Sequence, residues 1–242
     1  MNRSTVATQS SGALRVAGQF RLVPRTGYGM GRGYEWARQA GIRTSDRILD
    51  IGSGAGASLF LLHLYGSRDL VGSDPFLPED RELAPGLLVL KQHHGDISGE
   101  YDWITMNHAF EHVPDPRAVL RSMQRLLRPR GRVLVRMPVM GQYAWRKYRT
   151  NWAQIDAPRH LVLYTAPAVQ QLADSEGLRV ERTFYDSTGF QFWGSECADM
   201  GRPHAGASAT FSRGRLRAWA AQAQRLNRSA EGDQAGFVLS PL

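Results

Sequence analysis

From position 46 onward, short runs of aliphatic and β-branched residues alternate with helix-length stretches whose apolar residues return every three to four positions. Seven runs predict strands: Arg47 to Ile51, Leu70 to Ser73, Leu87 to Leu90, Trp103 to Met106, Arg132 to Met137, Arg179 to Tyr185 and Gly236 to Leu239. Several are apolar almost throughout, as strands covered on both faces are, and their alternation with helices predicts an α/β fold with a parallel sheet and crossover helices. The helix after Asp115 is the best marked. Asp115 suits the N-cap and Pro116 the first helical position, while Val119, Leu120, Met123, Leu126 and Leu127 form the apolar stripe before Pro129 and Gly131 stop it. Arg202 to Arg228 contains six arginines and no acidic residue, with Phe211, Leu216, Trp219, Ala223 and Leu226 spaced for the apolar face of a second amphipathic helix.

Length narrows this to one large domain, since 242 residues hold a full core but not two comfortable domains. The polar, small-residue start predicts a flexible tail over 1–25 ahead of a domain spanning 26–242, with no secretory signal and a cytoplasmic location. No apolar run approaches the roughly 18 residues of a membrane helix, so no membrane insertion is expected. Cys197 is the lone cysteine, which excludes an intrachain disulfide and a cysteine zinc cluster. The net charge of +8 permits attraction to nucleic acid. Lys91 and Lys147 are the sole lysines, the other cations being arginine, and a solvated basic surface is preferred over a nucleic-acid partner.

The chemistry concentrates in RILDIGSGAGASLFLLHLYG, where a strand ends at Asp50 and Ile51, a glycine loop follows and an apolar helix begins near Gly56. Gly52 and Gly54 free the backbone to turn tightly and approach a ligand, and the N–H groups of the helix start favour an electron-rich partner. By itself GSGAGA also satisfies a dinucleotide-binding pattern, which leaves a nicotinamide oxidoreductase open at this point. Asp74, ending the second strand, is placed to accept from ribose hydroxyls, with Pro75 and Phe76 offering apolar surface to a base. Asp96, after the third strand, is placed to accept from an exocyclic amine. Either aspartate could instead cap loop N–H groups.

These elements resemble the class I S-adenosylmethionine-dependent methyltransferases over roughly residues 40 to 240. The stretch YDWITMNHAFEHVPDPRAVLRSMQRLLRPRGRVLVRMP is similar to that family's fourth strand, helix and fifth strand, with the EHVPDP signature of ubiquinone-biosynthesis O-methyltransferases and bacterial relatives. The resemblance implies a single Rossmann-like domain whose mostly parallel seven-stranded sheet ends in an antiparallel strand, GDQAGFVLSPL. It implies S-adenosyl-L-methionine as cofactor, with Asp50, Gly52, Ser53 and Gly54 holding the methionine part, Asp74 the ribose, Asp96 and Ile97 the adenine, and Asn107 facing the methionine moiety. NWAQIDAPRHLVLYTAPAVQQLADSEGL is similar to bacterial methyltransferases associated with surface polysaccharides or secondary metabolites.

Methyl transfer is an in-line displacement at a sulfonium, so the protein must align the acceptor and exclude water. The acceptor side is expected at Asn107 to His112 and under a lid at 139–160, whose Tyr143, Trp152 and Arg159 suit stacking on a ring and neutralising an anion. His160, with Asp156 to orient it, is the first choice of base, and His108 the second. A packing role for the aromatics, and backbone hydrogen bonding for the histidines, stay open. His108, Glu111 and His112 have a spacing that could bring three ligands to one helical face, but local hydrogen bonding is the preferred reading and no metal is expected. The acceptor read from this pattern is a small molecule, anionic or glycosylated. An RNA methyltransferase and a non-catalytic cofactor-binding scaffold are the alternatives.

Overall fold

The computed structural model describes residues 31–203 and 210–242, so the tail expected over 1–25 lies outside the described residues. After α1 (Gly31–Ala40), the chain runs β1 (Ile48–Ile51), α2 (Ala57–Leu64), β2 (Leu70–Ser73), β3 (Arg81–Ala84), β4 (Leu87–Leu90) and β5 (Tyr101–Asn107). It continues through a 3₁₀ turn (Phe110–His112), α3 (Pro116–Arg125), β6 (Leu127–Pro138) and α4 (Tyr143–Tyr148). Two further 3₁₀ turns then lead to α5 (Ala166–Ser175), β7 (Leu178–Tyr185), α6 (Phe190–Asp199), α7 (Arg213–Arg228) and β8 (Gln234–Pro241).

The sheet order is β3-β4-β2-β1-β5-β6-β8-β7. The four inner pairings from β4 to β6 are parallel. β8 is inserted between β6 and β7 and runs antiparallel to both, in accord with the expected late antiparallel strand. The sheet has eight strands rather than the seven expected. The unforeseen strand is β3, whose RELA sequence is charged, short and exposed, the reverse of a strand signature. It is formed by hairpin pairing with β4 across Pro85 and Gly86. Gly86 has φ +76, the left-handed value that the third position of a type II turn requires. A Cβ there would also stand 2.0 Å from the backbone oxygen of Arg68.

The Asp115 helix forms as expected at its start: the Asp115 carboxylate accepts from the N–H of Ala118 at 3.0 Å, Pro116 opens the first turn, and Val119, Leu120 and Met123 are buried. It ends at Arg125, earlier than its apolar stripe. Leu127 is drawn into β6 because it pairs with Tyr101 of β5, whose N–H donates to Leu126 O at 2.9 Å. Two main clusters fill the core, one of them including Leu49, Met106, Phe110, Met123, Val135 and Phe237 and the other Trp36, Ile48, Leu62, Trp103 and Leu134. A third cluster joins Phe192, Cys197, Phe211, Trp219 and Ala223, and so ties α6 to α7 beyond the sheet. The second predicted amphipathic helix is α7, which starts at an N-cap, Ser212, later than the pattern suggested. No described helix is long and apolar enough to cross a membrane.

The segment 149–155 is locked to β8 by a buried polar contact. The Trp152 indole, 1% exposed, donates to Asp233 Oδ2 at 2.8 Å, and the Asp233 carbonyl accepts from Val139 N at 2.9 Å. Burial pushes the Asp233 carboxyl up to about 6, against the opposing hydrogen bonds from Trp152 and Ser187. Between about pH 4 and 6 the folded protein therefore holds a proton that the unfolded chain has lost, and this group's contribution to stability falls as the pH rises through that window. Asp233→Asn keeps an acceptor for the indole and removes the charge. It should gain stability over wild type by about 1 to 3 kcal/mol at pH 7.5 and by much less at pH 4.5. Urea unfolding at both pH values measures this, and an equal difference at the two would refute it.

Candidate active site

The carboxyl ends of β1, β2, β4 and β5 lie side by side because these strands are parallel, and the glycine loop leaves this edge directly after Asp50. Asp50 is 2% exposed and accepts from Thr105 Oγ1 at 2.6 Å and Asn107 Nδ2 at 3.2 Å. Burial pushes its carboxyl up to about 6, with both donors acting to lower it. The same asparagine presents Oδ1 as a buried acceptor without a partner, the kind of group a native fold leaves open where a ligand completes it. Gly52 has φ +72, and a Cβ there would stand 2.6 Å from Ala109 Cβ, so only glycine lets the loop lie against the segment after β5.

At the end of β2, Asp74 Oδ2 accepts from Gly54 N at 3.0 Å and Oδ1 from Phe76 N at 2.9 Å. Its carboxylate thus shapes the glycine loop and stays half-buried beside it. Pro75 and Phe76 are exposed, Phe76 by 93%. Asp96 is exposed after β4, whereas Ile97 is 2% exposed and its side chain belongs to the core. Of the residues expected around a cofactor, Asp50, Gly52, Ser53, Gly54, Asp74 and Asn107 meet at one loop, while Asp96 and Ile97 belong to the neighbouring turn.

A second group of side chains begins at the residue after Asn107. His108 adopts φ +51, and its Nδ1 lies 3.5 Å from Glu111 Oε1. The segment 160–164 runs alongside, since Leu161 N donates to Glu111 O at 2.9 Å and Met140 N to Tyr164 O at 2.8 Å. This brings His160 Nε2 to 3.9 Å from both Glu111 Oε1 and Asp156 Oδ2, and the His160 and His112 rings to 4.9 Å. Glu111 is 1% exposed, and neither of its carboxylate oxygens has a hydrogen-bond partner. The Tyr164 hydroxyl is likewise buried and unpartnered, and burial, reinforced by Glu111, pushes it up to about 12.

The helical face that the spacing of His108, Glu111 and His112 allowed does not form, because the segment is a single 3₁₀ turn entered through a left-handed residue. Tertiary structure instead joins Glu111 and His112 to His160, 48 positions away from His112 in the chain. Asp156 is held chiefly by Arg159, whose Nη2 lies 2.7 Å from its Oδ1, and Arg159 is otherwise exposed. Within the expected lid, Trp152 is buried with its N–H committed to Asp233, and Tyr143 packs edge-on to Phe192 of α6 at 6.1 Å. These rings pack this segment onto the domain. Sequence reasoning missed Thr105 and Tyr164, which carry no motif, and Asp233, which lies near the site only through sheet topology.

Residues 31–183 match the profile of a family described as methyltransferase domain. The ubiquinone biosynthesis O-methyltransferase of Aeromonas salmonicida is 33% identical over 99 residues, covering 37% of this chain and 42% of its own length. The chain thus spans less than half the length of that curated relative. Among solved structures, a SAM-dependent methyltransferase from Thermotoga maritima superposes with a TM-score of 0.58 at 17% identity, covering 95% of this chain and 96% of that one. The mycolic acid cyclopropane synthase CmaA1, crystallised with SAH, gives a TM-score of 0.55 at 17% identity over 87% and 83%.

The unsatisfied Glu111 carboxylate should cost the free protein stability. Glu111→Gln supplies an N–H₂ that can donate to an imidazole nitrogen, so it should stabilise the chelator-treated protein by about 1 to 3 kcal/mol. Thermal unfolding at pH 8.5, above the ordinary imidazole range, reads the change. A lower melting temperature in the variant would mean that the carboxylate already has its donors.

Proposed function

Since the chain belongs to the methyltransferase-domain family and has the class I S-adenosylmethionine-dependent fold, we propose that it transfers the methyl group of S-adenosylmethionine to a small-molecule acceptor. The single observation that carries this reading is the Asp50–Asn107 pair: a buried carboxylate fixes the asparagine so that an unpartnered Oδ1 is held beside the glycine loop. That oxygen suits the ammonium of the methionine part, and the loop N–H groups suit its carboxylate. Asp74 takes the ribose, while Pro75 and Phe76 offer apolar surface to the adenine and Asp96 and the Ile97 backbone take its polar edge.

The acceptor binds next to the Glu111 cluster, which begins one residue beyond Asn107, and loses its proton there. His160 is central to that cluster, Asp156 and His108 flank it, and Arg159 at its exposed rim suits an anionic group on the acceptor. Alignment at about 3 Å and exclusion of water supply most of the acceleration of such a displacement. The similarity to ubiquinone biosynthesis O-methyltransferases supports a small molecule over a macromolecule.

Calorimetry should show binding of S-adenosylmethionine and S-adenosylhomocysteine. Asp74→Ala should weaken it by about 1 to 3 kcal/mol, through loss of a charged acceptor and of the Gly54 N–H bond. Heat with NAD and with neither adenosyl ligand would overturn the reading. His160→Ala should lower turnover on a panel of small acceptors by about 10²- to 10⁴-fold, read as S-adenosylhomocysteine release, with cofactor affinity unchanged. Wild-type activity per folded molecule would remove His160 from the reaction.

A further inference from the structure

We propose that Glu111, His112 and His160 form a binding site for one divalent transition-metal ion of zinc-like ligand preference. The first observation is convergence: one ligand atom from each of the three lies within 4.8 Å of the other two. The second is the state of Glu111, which is 1% exposed and has both oxygens buried without a hydrogen bond, His108 Nδ1 standing 3.5 Å away outside donor geometry. A carboxylate taken from water and given no donor is costly, and native folds keep one where something outside the chain completes it.

The third observation fixes which imidazole nitrogens face the carboxylate. His112 Nδ1 lies 2.7 Å from the carbonyl oxygen of Arg159, and His160 Nδ1 lies 2.7 Å from that of Gln154. A carbonyl oxygen only accepts, so each Nδ1 carries the hydrogen and each neutral ring is left with its lone pair at Nε2. In that neutral state His160 Nε2, 3.9 Å from Glu111 Oε1, has no hydrogen to offer it. With both rings neutral, three electron-pair donors converge, and a cation satisfies all three together. Metal-bound histidines are oriented in this way, by donation from the far ring nitrogen to a backbone carbonyl.

Two imidazoles and one carboxylate suit a divalent transition metal and leave coordination positions open. Tetrahedral ligation at bond lengths of about 2.0 to 2.1 Å puts ligand atoms roughly 3.4 Å apart, so closure on the ion asks for a contraction of about 1 Å, within reach of side-chain rotation. Asp156 Oδ2, 3.9 Å from His160 Nε2, adds negative charge at the rim. Resting on the methyltransferase reading, the open position gives the acceptor its chemical class: a molecule that presents an anionic or readily ionised oxygen to the metal, beside the sulfonium methyl. His160 would then act on the proton through the ion it holds.

The test uses the full chain stripped with chelator, titrated with Co²⁺ and with Zn²⁺ by calorimetry and visible absorption. Wild type should bind one equivalent and develop the absorption of Co²⁺ in a low-coordinate nitrogen and oxygen site. His112→Gln, His160→Gln and Glu111→Gln, each checked for native circular dichroism, should each weaken binding by at least about tenfold and lose the absorption. Three substitutions guard against one that fails to fold. Absence of stoichiometric Co²⁺ binding by wild type, or binding unchanged in the folded variants, overturns the site. S-adenosylmethionine titrated in parallel reports separately on the methyltransferase reading, because its loop lies outside the three ligands.

Discussion

A carboxylate is buried where two strands of a parallel sheet end. Asp50, at the carboxyl end of β1, is taken almost wholly from water and given hydrogens by Thr105 and Asn107 of β5. Such a group is tolerated when its donors are close and fixed, and the parallel register that pairs Asp50 with Thr105 fixes them. Much of the site depends on that contact. It aims Asn107 at the loop, sets the direction in which the chain leaves β5, and brings Ala109 so close to Gly52 that no side chain fits between.

Three buried acids show how differently the fold treats the same functional group. Asp50 and Asp233 are each held by two donors that work against the desolvation raising their carboxyls. Glu111 has no hydrogen bond to either oxygen, the nearest imidazole nitrogens being His108 Nδ1 at 3.5 Å and His160 Nε2 at 3.9 Å. Asp50 and Asp233 tie pieces of chain together, β1 to β5 and the 149–155 segment to β8, and so return stability for their burial. Glu111 makes no hydrogen bond through its side chain, and a buried group that costs stability in this way is what a functional site looks like in a packed protein.

Both sites are products of a single edge. The glycine loop and the Glu111 turn leave neighbouring strands at their carboxyl ends, where a parallel sheet places ligands. Residues 139–164 then return across that edge, and in doing so deliver His160 to Glu111 while Trp152 anchors the return to β8. Packing on α6 and α7 occupies Tyr143, and Asp233 holds the indole of Trp152, so the chemistry of this segment is concentrated at its end rather than in its rings.

What was legible in the residues is what local physics controls. The capped Asp115 helix, the apolar central strands and the glycine loop followed by an acidic strand end follow from propensity, periodicity and backbone freedom within a few residues, and the structure has them. The elements that pattern missed depend on their pairing partners rather than on their own residues. RELA becomes a strand because β4 offers it a ladder, and Leu127 leaves its helix because Tyr101 pairs with it. The histidine cluster follows the same rule: helical spacing grouped His108, Glu111 and His112, but a left-handed residue at His108 and a return of the chain 48 positions after His112 replaced that grouping with Glu111, His112 and His160. Sequence determines which residues can donate, accept or turn, because those are properties of a side chain and its own backbone. Which of them meet, and which are buried without a partner, is decided only when strands far apart in the chain come into register.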